Sequence, residues 1–219
     1  MKRLAVAALA VSLTLAGQVA REANERYRTR EGRQQIGRML SRPDRDATQK
    51  PRELVDAMQL EPGMTVADVG TGIGYMLPYL SEAVGEKGVV LAQDIAQDFL
   101  DRAKVTARHK NLTNIQYILG TTENPNLPSG QVDVVLLLDA YHHFDYPKPM
   151  LAHIGEALKP DGRLVLVDYY KANFSNPGHI RLEDHEAIAE IEANGFRMIS
   201  RRDHIPKSQY MAIFVKKQP

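Results

Sequence analysis

The stretch VADVGTGIGYMLPYL, residues 66–80, runs from an apolar strand through three alternating glycines into a helical segment. Such a turn is typical of nucleotide-binding sites, because glycine allows the backbone to approach a ligand closely. The dinucleotide fingerprint requires the spacing G-x-G-x-x-G. Here the spacing is G-x-G-x-G, from Gly70 to Gly74, and Tyr75 stands where the third dinucleotide glycine would be. The turn therefore predicts a different nucleotide ligand.

Two carboxylates at predicted strand ends narrow the choice of ligand. Asp68 lies directly before the turn, where a pyrophosphate would be repelled but a positive group would be attracted. Asp94 ends the second strand, 20 residues after Gly74. A carboxylate there can accept two hydrogen bonds from ribose hydroxyls. The predicted ligand has a ribose, an adjacent base and a cationic tail without phosphate, and S-adenosylmethionine has all three.

Strand and helix patterns alternate from Pro51 onward, which predicts an α/β fold with a doubly wound sheet and right-handed crossovers. Residues 132–140, VDVVLLLDA, are typical of a central strand that is covered on both faces. Residues 196–204 and 209–216 are joined by four residues, so they are predicted to form an antiparallel hairpin. Further helices are predicted over 73–84, 96–110, 147–158 and 181–194, with a turn at 159–162.

Four segments resemble class I S-adenosylmethionine-dependent methyltransferases of the ubiquinone/menaquinone-biosynthesis type and exported bacterial relatives. They are VADVGTGIG (66–74), LAQDI (91–95), VDVVLLLDAYHHF (132–144) and ALKPDGRLVLVDYY (157–170). The resemblance implies a Rossmann-like, seven-stranded, mostly parallel sheet in the order 3-2-1-4-5-7-6, with the last strand antiparallel. It also implies in-line methyl transfer to a small-molecule acceptor. The run Asn-Pro-Pro-Tyr, used by amino-group methylases of DNA and protein, is absent, so no nucleic-acid partner is predicted.

The resemblance also assigns site residues. The implied cofactor contacts are Asp68, Gly70, Thr71, Gly72, Gly74, Tyr75, Asp94, Ile95, Thr121, Thr122, Glu123, Asp139 and Ala140. Asp68 and the glycines would hold the methionine end, Asp94 the ribose, and Ile95 the adenine face. Residues 121–123 stand where many relatives have an aspartate for the adenine amino group, so they either replace that contact or the contact is missing. Residues implied for the acceptor pocket are Tyr141, Tyr169, Tyr170 and Lys171, the last three being surface residues in the alternative interpretation.

His142 and His143 follow the fourth strand, on the side where open sheets bind ligands. Three roles are open: contact with the cofactor, general base, or metal ligand. A base is needed only if the acceptor atom carries a proton with a high pKa. A metal site would need a third ligand, for which His179, Asp184 and His185 are candidates. We name the two adjacent histidines as catalytic candidates and predict no metal.

The first twenty residues have the pattern of a secretory signal, because Lys2 and Arg3 precede a short apolar run that ends in small residues. An uncleaved anchor and an ordinary apolar helix are the alternatives. The predicted organisation is a signal peptide (1–20), an arginine-rich helical extension (21–50) and a methyltransferase domain (51–219). This leader predicts a periplasmic or secreted protein, or a cytoplasmic one if it is not processed, with no stable membrane span after its removal.

Two other functions compete with methyl transfer. A non-catalytic binding protein with the methyltransferase fold gains support from the leader, since S-adenosylmethionine is made in the cytosol. An NAD-dependent oxidoreductase would need a glycine at the position of Tyr75.

The chain has 219 residues and a net charge of +1. It has no cysteine, which excludes disulfides, a thiolate nucleophile and thiolate metal sites. The oligomeric state is left open.

Overall fold

A computed structural model describes residues 18–217. Nearly all of the predicted leader lies outside these residues, so the signal peptide and the location of the protein stay predictions. Within the described part, no helix is both long and apolar enough to cross a membrane.

The core of the fold is one seven-stranded sheet in the order β3-β2-β1-β4-β5-β7-β6, which confirms the predicted topology. β7 runs antiparallel to both of its neighbours, and the other pairs are parallel. The strands are β1 (Thr65–Val69), β2 (Val89–Asp94), β3 (Ile115–Leu119), β4 (Val132–Leu138), β5 (Leu158–Tyr169), β6 (Phe196–Ile205) and β7 (Gln209–Lys216).

Helices cover both faces of this sheet. They are α1 (Arg30–Leu40), α2 (Arg45–Gln49), α3 (Pro51–Met58), α4 (Leu77–Val84), α5 (Gln97–His109), α6 (Pro147–Ala157) and α7 (Asp184–Ala193). β4 shows why its sequence is almost continuously apolar. Val135 and Leu137 pack in the core under α6 and α7, whereas Val134 and Leu136 pack in the core under α3 to α5. Alternate residues of this strand thus face two separate cores.

Three predicted boundaries were wrong. The helix expected from Ile73 begins only at Leu77, because Gly74 adopts a left-handed conformation with φ of 79° and the turn continues past it. The turn expected at 159–162 lies inside β5, at an irregularity in its pairing with β4. The helix expected over 181–194 begins at Asp184, where a capping box with the preceding glutamate fixes its start.

The N-terminal extension lies over the ligand-binding edge of the sheet. The Nε–H of Arg33 in α1 is shared between the two carboxylate oxygens of Asp98 in α5, at 2.8 and 2.9 Å. Ile36 is buried against Ile73 and Phe99. These contacts place α1 across the glycine turn, and the extension thereby becomes part of the site described below.

Candidate cofactor and acceptor site

Four aspartates meet at one edge of the sheet because parallel strands end there together. Asp68 and Asp94 end β1 and β2, Asp139 follows β4, and Asp168 lies near the end of β5. Asp139 is half-buried, and the other three are buried. Adjacent carboxylates are costly to bury without paired cations, so their concentration here indicates a binding site rather than a structural core.

The glycine turn wraps around the end of β2 and fixes Asp94. The backbone N–H groups of Gly70 and Thr71 donate to the carbonyl oxygen of Gln93, both at 2.9 Å. The N–H of Gly72 donates to Asp94 Oδ2 at 2.9 Å, and the N–H of Ala96 donates to Oδ1 at the same distance. A carboxylate has about four lone-pair positions, so both oxygens keep capacity for a further donor.

Asp68 is fixed by the same turn. Its Oδ2 accepts a hydrogen bond of 2.7 Å from the Thr71 hydroxyl. Gly70 has a φ of 80°, and a Cβ on it would lie 2.8 Å from the Cβ of Ala140. The predicted cofactor residues of β1 and β4 therefore pack directly against each other, and the close approach requires glycine at this position.

Burial dominates the electrostatics of the carboxylates. It raises the pKa of Asp68 to about 6, against the opposing effect of the Thr71 hydrogen bond. It also raises the pKa of Asp94 to about 6, although the N–H groups of Ala96 and Gly72 favour the ionised form. The pKa of Asp139 rises to about 7, first through burial and then through the charge of Asp168. At neutral pH the site therefore holds several carboxylates in which the charged form is poorly solvated.

Asp139 has an unusual backbone conformation for a residue with a side chain. Its φ is 52°, in the left-handed region. Its carboxylate accepts hydrogen bonds from the Tyr169 hydroxyl at 3.1 Å and from Gln209 Nε2 at 2.6 Å, while its N–H donates to the carbonyl of Val167. Gln209 in turn accepts a bond from Gln49 of α2. A strained backbone conformation that several hydrogen bonds hold in place is found mainly at functional sites.

Other predicted cofactor residues lie at the rim. The Tyr75 hydroxyl donates to Asp46 of α2, and its ring lies 3.7 Å from the Arg45 guanidinium carbon, so it faces the extension. Ile95 is 51% exposed. The Thr121 hydroxyl accepts hydrogen bonds from the N–H groups of residues 123 and 124 and closes a turn. Thr122 is half-buried and Glu123 is exposed in this turn.

The predicted acceptor residues separate into two groups. Tyr169 lies in the site, bonded to Asp139. Tyr141 is 1% exposed, and its hydroxyl donates to Glu190 of α7. Tyr170 follows Tyr169 and points to the opposite side, because side chains alternate along an extended chain. Its hydroxyl donates to Asp203 of β6.

Lys171 also lies away from the carboxylates, since its Nζ donates to the carbonyl oxygen of Arg181 at 3.3 Å. Among the four residues, Tyr169 has its hydroxyl on one of the clustered aspartates, and the acceptor pocket stays a prediction.

The two predicted catalytic histidines are held from opposite sides. His142 contacts Asp168 twice: its backbone N–H donates to Oδ2 at 3.1 Å, and its ring Nδ1 lies 2.6 Å from Oδ1. His143 lies against Asn24 of the extension, with Nδ1 2.9 Å from the amide oxygen, and its backbone carbonyl accepts a bond from the amide nitrogen. His179, on a short 3-10 helix (Pro177–His179), places its ring 5.1 Å from both.

The three imidazoles differ in how readily they are protonated. Burial opposes protonation of His142, but Asp168 and then Asp139 outweigh it and raise the pKa. Burial, followed by the neighbouring histidines, lowers the pKa of His143 well below its usual range. Burial and the charge of His142 lower the pKa of His179 to about 4.

The sequence patterns missed several site residues. Asp168 ends an apolar run in the same way as Asp94, so the strand-end rule that selected Asp94 also applies to it. Tyr27 packs on His143 with ring centres 4.4 Å apart, and the charges of Asp139 and Asp94 both act on its hydroxyl. Its position between cofactor and histidine residues had no signal in the sequence.

Comparisons with known proteins agree with this geometry. Residues 67–166 match a protein family described as a methyltransferase domain. The chain is 32% identical over 115 residues to nocamycin O-methyltransferase of Saccharothrix syringae, covering 52% of this chain and 41% of that protein. It is 26% identical over 129 residues to the ubiquinone/menaquinone biosynthesis C-methyltransferase UbiE of a Shewanella strain, covering 58% and 49%. The chain thus spans less than half the length of these relatives.

Among solved structures, a SAM-dependent methyltransferase from Aquifex aeolicus has a TM-score of 0.78 and 27% identity, over 82% of this chain and 96% of that one. The fold, the strand order and the domain match all agree with the resemblance of the four sequence segments. Residues 67–166 therefore match a methyltransferase domain, and the relatives and structural neighbours of the chain include S-adenosylmethionine-dependent methyltransferases.

Proposed function

We propose that this chain binds S-adenosylmethionine at the glycine turn and transfers its methyl group to a small-molecule acceptor. The observation that carries the proposal is the group of buried carboxylates around this turn. Among residues 18–217, no lysine or arginine forms a salt bridge with Asp68, Asp94 or Asp139. A ligand with an ammonium and a sulfonium group supplies the missing positive charge.

The residues fit the remaining parts of the cofactor. Asp94 keeps lone pairs on both oxygens for the ribose hydroxyls. Ile95 offers an exposed apolar side chain at the same strand end for the adenine face. Gln93 Nε2 is buried without a hydrogen-bond partner in the described part of the chain, and it lies beside Gly120, where β3 ends. A ring nitrogen of adenine is an acceptor that would satisfy such a donor.

When bound, the cofactor supplies a methyl group whose bond to sulfur breaks, with its electron pair going to sulfur, as a lone pair of the acceptor bonds to the carbon. The protein must therefore align the acceptor atom, and alignment alone can supply a large part of the rate. Asp139, Tyr169 and the histidines border the side of the site away from Asp94. We assign this side to the acceptor.

Titration calorimetry of the full chain tests the proposal. S-adenosylmethionine and its demethylated product are expected to bind with one site per chain and micromolar affinity, whereas NADH is expected not to bind. A folded chain that binds neither adenosyl compound would contradict the proposal and favour the non-catalytic alternative. Binding of NADH alone would favour the oxidoreductase.

Cofactor affinity is expected to fall as the pH drops below about 6. The cationic groups of the ligand favour the ionised form of Asp68, and its ribose hydroxyls, as hydrogen-bond donors, favour the ionised form of Asp94. In the unliganded protein, burial raises the pKa of both carboxyls to about 6. Affinity is therefore complete above this pH. Below it, each carboxylate that must release a proton costs about tenfold per pH unit, or about 100-fold for both. Calorimetry between about pH 5 and about pH 8 measures this slope, and a constant affinity across that range would contradict it.

A further inference from the structure

Three imidazole side chains converge beside the cofactor residues. His142, His143 and His179 each present a ring nitrogen, and the three atoms lie within 4.8 Å of one another. The first two rings are 4.1 Å apart between centres, and His179 meets both edge-on. The residues come from two separate segments, after β4 and after β5, so their meeting is a product of the fold and not of sequence adjacency alone.

The neighbours of this cluster orient two of its rings in the way that metal-binding histidines are oriented. Asp168 lies on Nδ1 of His142, and the Asn24 amide oxygen lies on Nδ1 of His143. Each contact leaves Nε2 of the ring as the free nitrogen, and within residues 18–217 no hydrogen bond to these Nε2 atoms occurs. A carboxylate or amide behind each imidazole fixes the tautomer and increases the basicity of the ligand atom.

We propose that His142, His143 and His179 form a mononuclear Zn²⁺ site with one coordination position open to the acceptor. Zinc favours imidazole nitrogen, and three protein ligands with a free fourth position are the arrangement of its catalytic centres. Thiolate ligands are excluded because the chain has no cysteine. The alternative of a carboxylate ligand from Asp184 is disfavoured, because this side chain contacts Arg201 and His185 and lies outside the cluster of His142, His143 and His179.

The site needs a small adjustment to close on the ion. Zinc–nitrogen bonds of about 2.0–2.1 Å at tetrahedral angles bring ligand atoms to about 3.4 Å from one another, so the widest separation must shrink by at most about 1.4 Å. His179 is the ligand that can move. It is half-buried at the end of a three-residue helix, whereas His142 is buried and held by two hydrogen bonds.

The role of the ion rests on the proposed methyl transfer, whereas its binding does not. A Zn²⁺ ion here would bind an oxygen or sulfur of the acceptor and lower its pKa, so that its proton leaves to water before the methyl carbon is attacked. His142 then acts as a ligand and not as a general base. Tyr27 packs on His143, and the charges of Asp139 and Asp94 act on its hydroxyl, so the histidine cluster lies beside the residues assigned to the cofactor.

Metal titration of the full chain tests the site without cofactor or acceptor. After treatment with chelator, Co²⁺ is added and the visible absorption of a four-coordinate centre is followed, and Zn²⁺ is then added in competition. We expect one equivalent to bind and Zn²⁺ to displace it. His179→Ala is expected to lower the affinity for Co²⁺ by more than 100-fold. Removal of a group that is hydrogen-bonded to a ligand histidine lowers metal affinity by roughly 10–100-fold. Asn24→Ala removes such a group, so its affinity for Co²⁺ is expected to fall by an amount in that range.

His185→Ala is the matched control, because His185 lies in the same region but its side chain is 78% exposed and outside the cluster. Its affinity for Co²⁺ is expected to equal that of the original chain. Zn²⁺ should also raise the melting temperature of the original chain and of His185→Ala but not of His179→Ala.

Less than one equivalent of Co²⁺, or an affinity that His179→Ala leaves unchanged, would overturn the proposal and leave the rings as a packed aromatic cluster. Calorimetry with S-adenosylmethionine is performed on the same samples. If the original chain binds S-adenosylmethionine but no metal, the zinc site alone is contradicted. If it binds metal but not S-adenosylmethionine, the methyltransferase proposal alone is contradicted.

Discussion

Replacing Asp94 with alanine is expected to weaken binding of S-adenosylmethionine by at least about 100-fold. The change removes a carboxylate that can accept charge-assisted hydrogen bonds from two ribose hydroxyls. Each such bond contributes about 1.5–3 kcal/mol, and about 1.4 kcal/mol corresponds to a factor of ten. The loss is measured by titration calorimetry of the variant and the original chain at neutral pH, where Asp94 is ionised.

Asp101→Ala is the control for this variant. Asp101 is an exposed aspartate in α5 whose hydrogen bonds, within the described residues, go to Gln97 and Lys104 on its own helix, so its removal is expected to leave cofactor affinity unchanged. Asp94 also accepts bonds from the turn, and a thermal melt of each variant therefore accompanies the titration. A folded Asp94→Ala chain that binds within tenfold of the original would refute the assignment of Asp94 to the ribose.

The strand ends of the site could be predicted from the sequence because they depend on local patterns. An apolar run that stops at an aspartate identifies a buried parallel strand and the polar edge of its sheet. This pattern placed Asp68, Asp94 and Asp139 at one edge, as the structure has them. The hairpin of β6 and β7 followed from the four-residue link alone, which is too short for a parallel connection.

The N-terminal contribution to the site could not be predicted in the same way. Asn24 and Tyr27 contact His143, and the charge of Arg45 acts on Asp68 and Asp139. These partners lie about 20 to 120 residues away along the chain, and such tertiary relations leave no periodic pattern. Most arginines of this segment are exposed, whereas Arg33 forms a salt bridge with Asp98 and Arg45 is half-buried.

The histidine cluster could be predicted from the sequence only in part. The pair after β4 is visible in the sequence, and the rule for open sheets places it at the ligand-binding edge. His179 was one of three candidates for a third position, and spacing alone could not choose among them. The structure separates them because the segment after β5 returns across the sheet edge before α7 begins, which brings His179 to the pair and leaves His185 exposed.

Gly70→Ala is expected to lower the free energy of unfolding by about 2–5 kcal/mol and to abolish cofactor binding. An alanine with φ of 80° costs about 1–2 kcal/mol, because the Cβ of an L-residue approaches the backbone in that region. The new Cβ would also lie 2.8 Å from the Cβ of Ala140, so β1 and the segment after β4 must separate. Overpacking of this kind adds about 1–3 kcal/mol.

The chain provides a matched control in Gly63→Ala. Gly63 has a similar φ of 93°, but no atom of the neighbouring structure in residues 18–217 lies within 4 Å of the position that a Cβ would occupy. Its substitution isolates the backbone cost, so we expect a loss of about 1–2 kcal/mol with unchanged cofactor affinity. Urea unfolding and titration calorimetry of both variants separate the two contributions. Equal losses of stability in the two variants would show that contact with Ala140 does not constrain the turn. Retained binding in Gly70→Ala would show that the cofactor does not depend on the close approach of these strand ends.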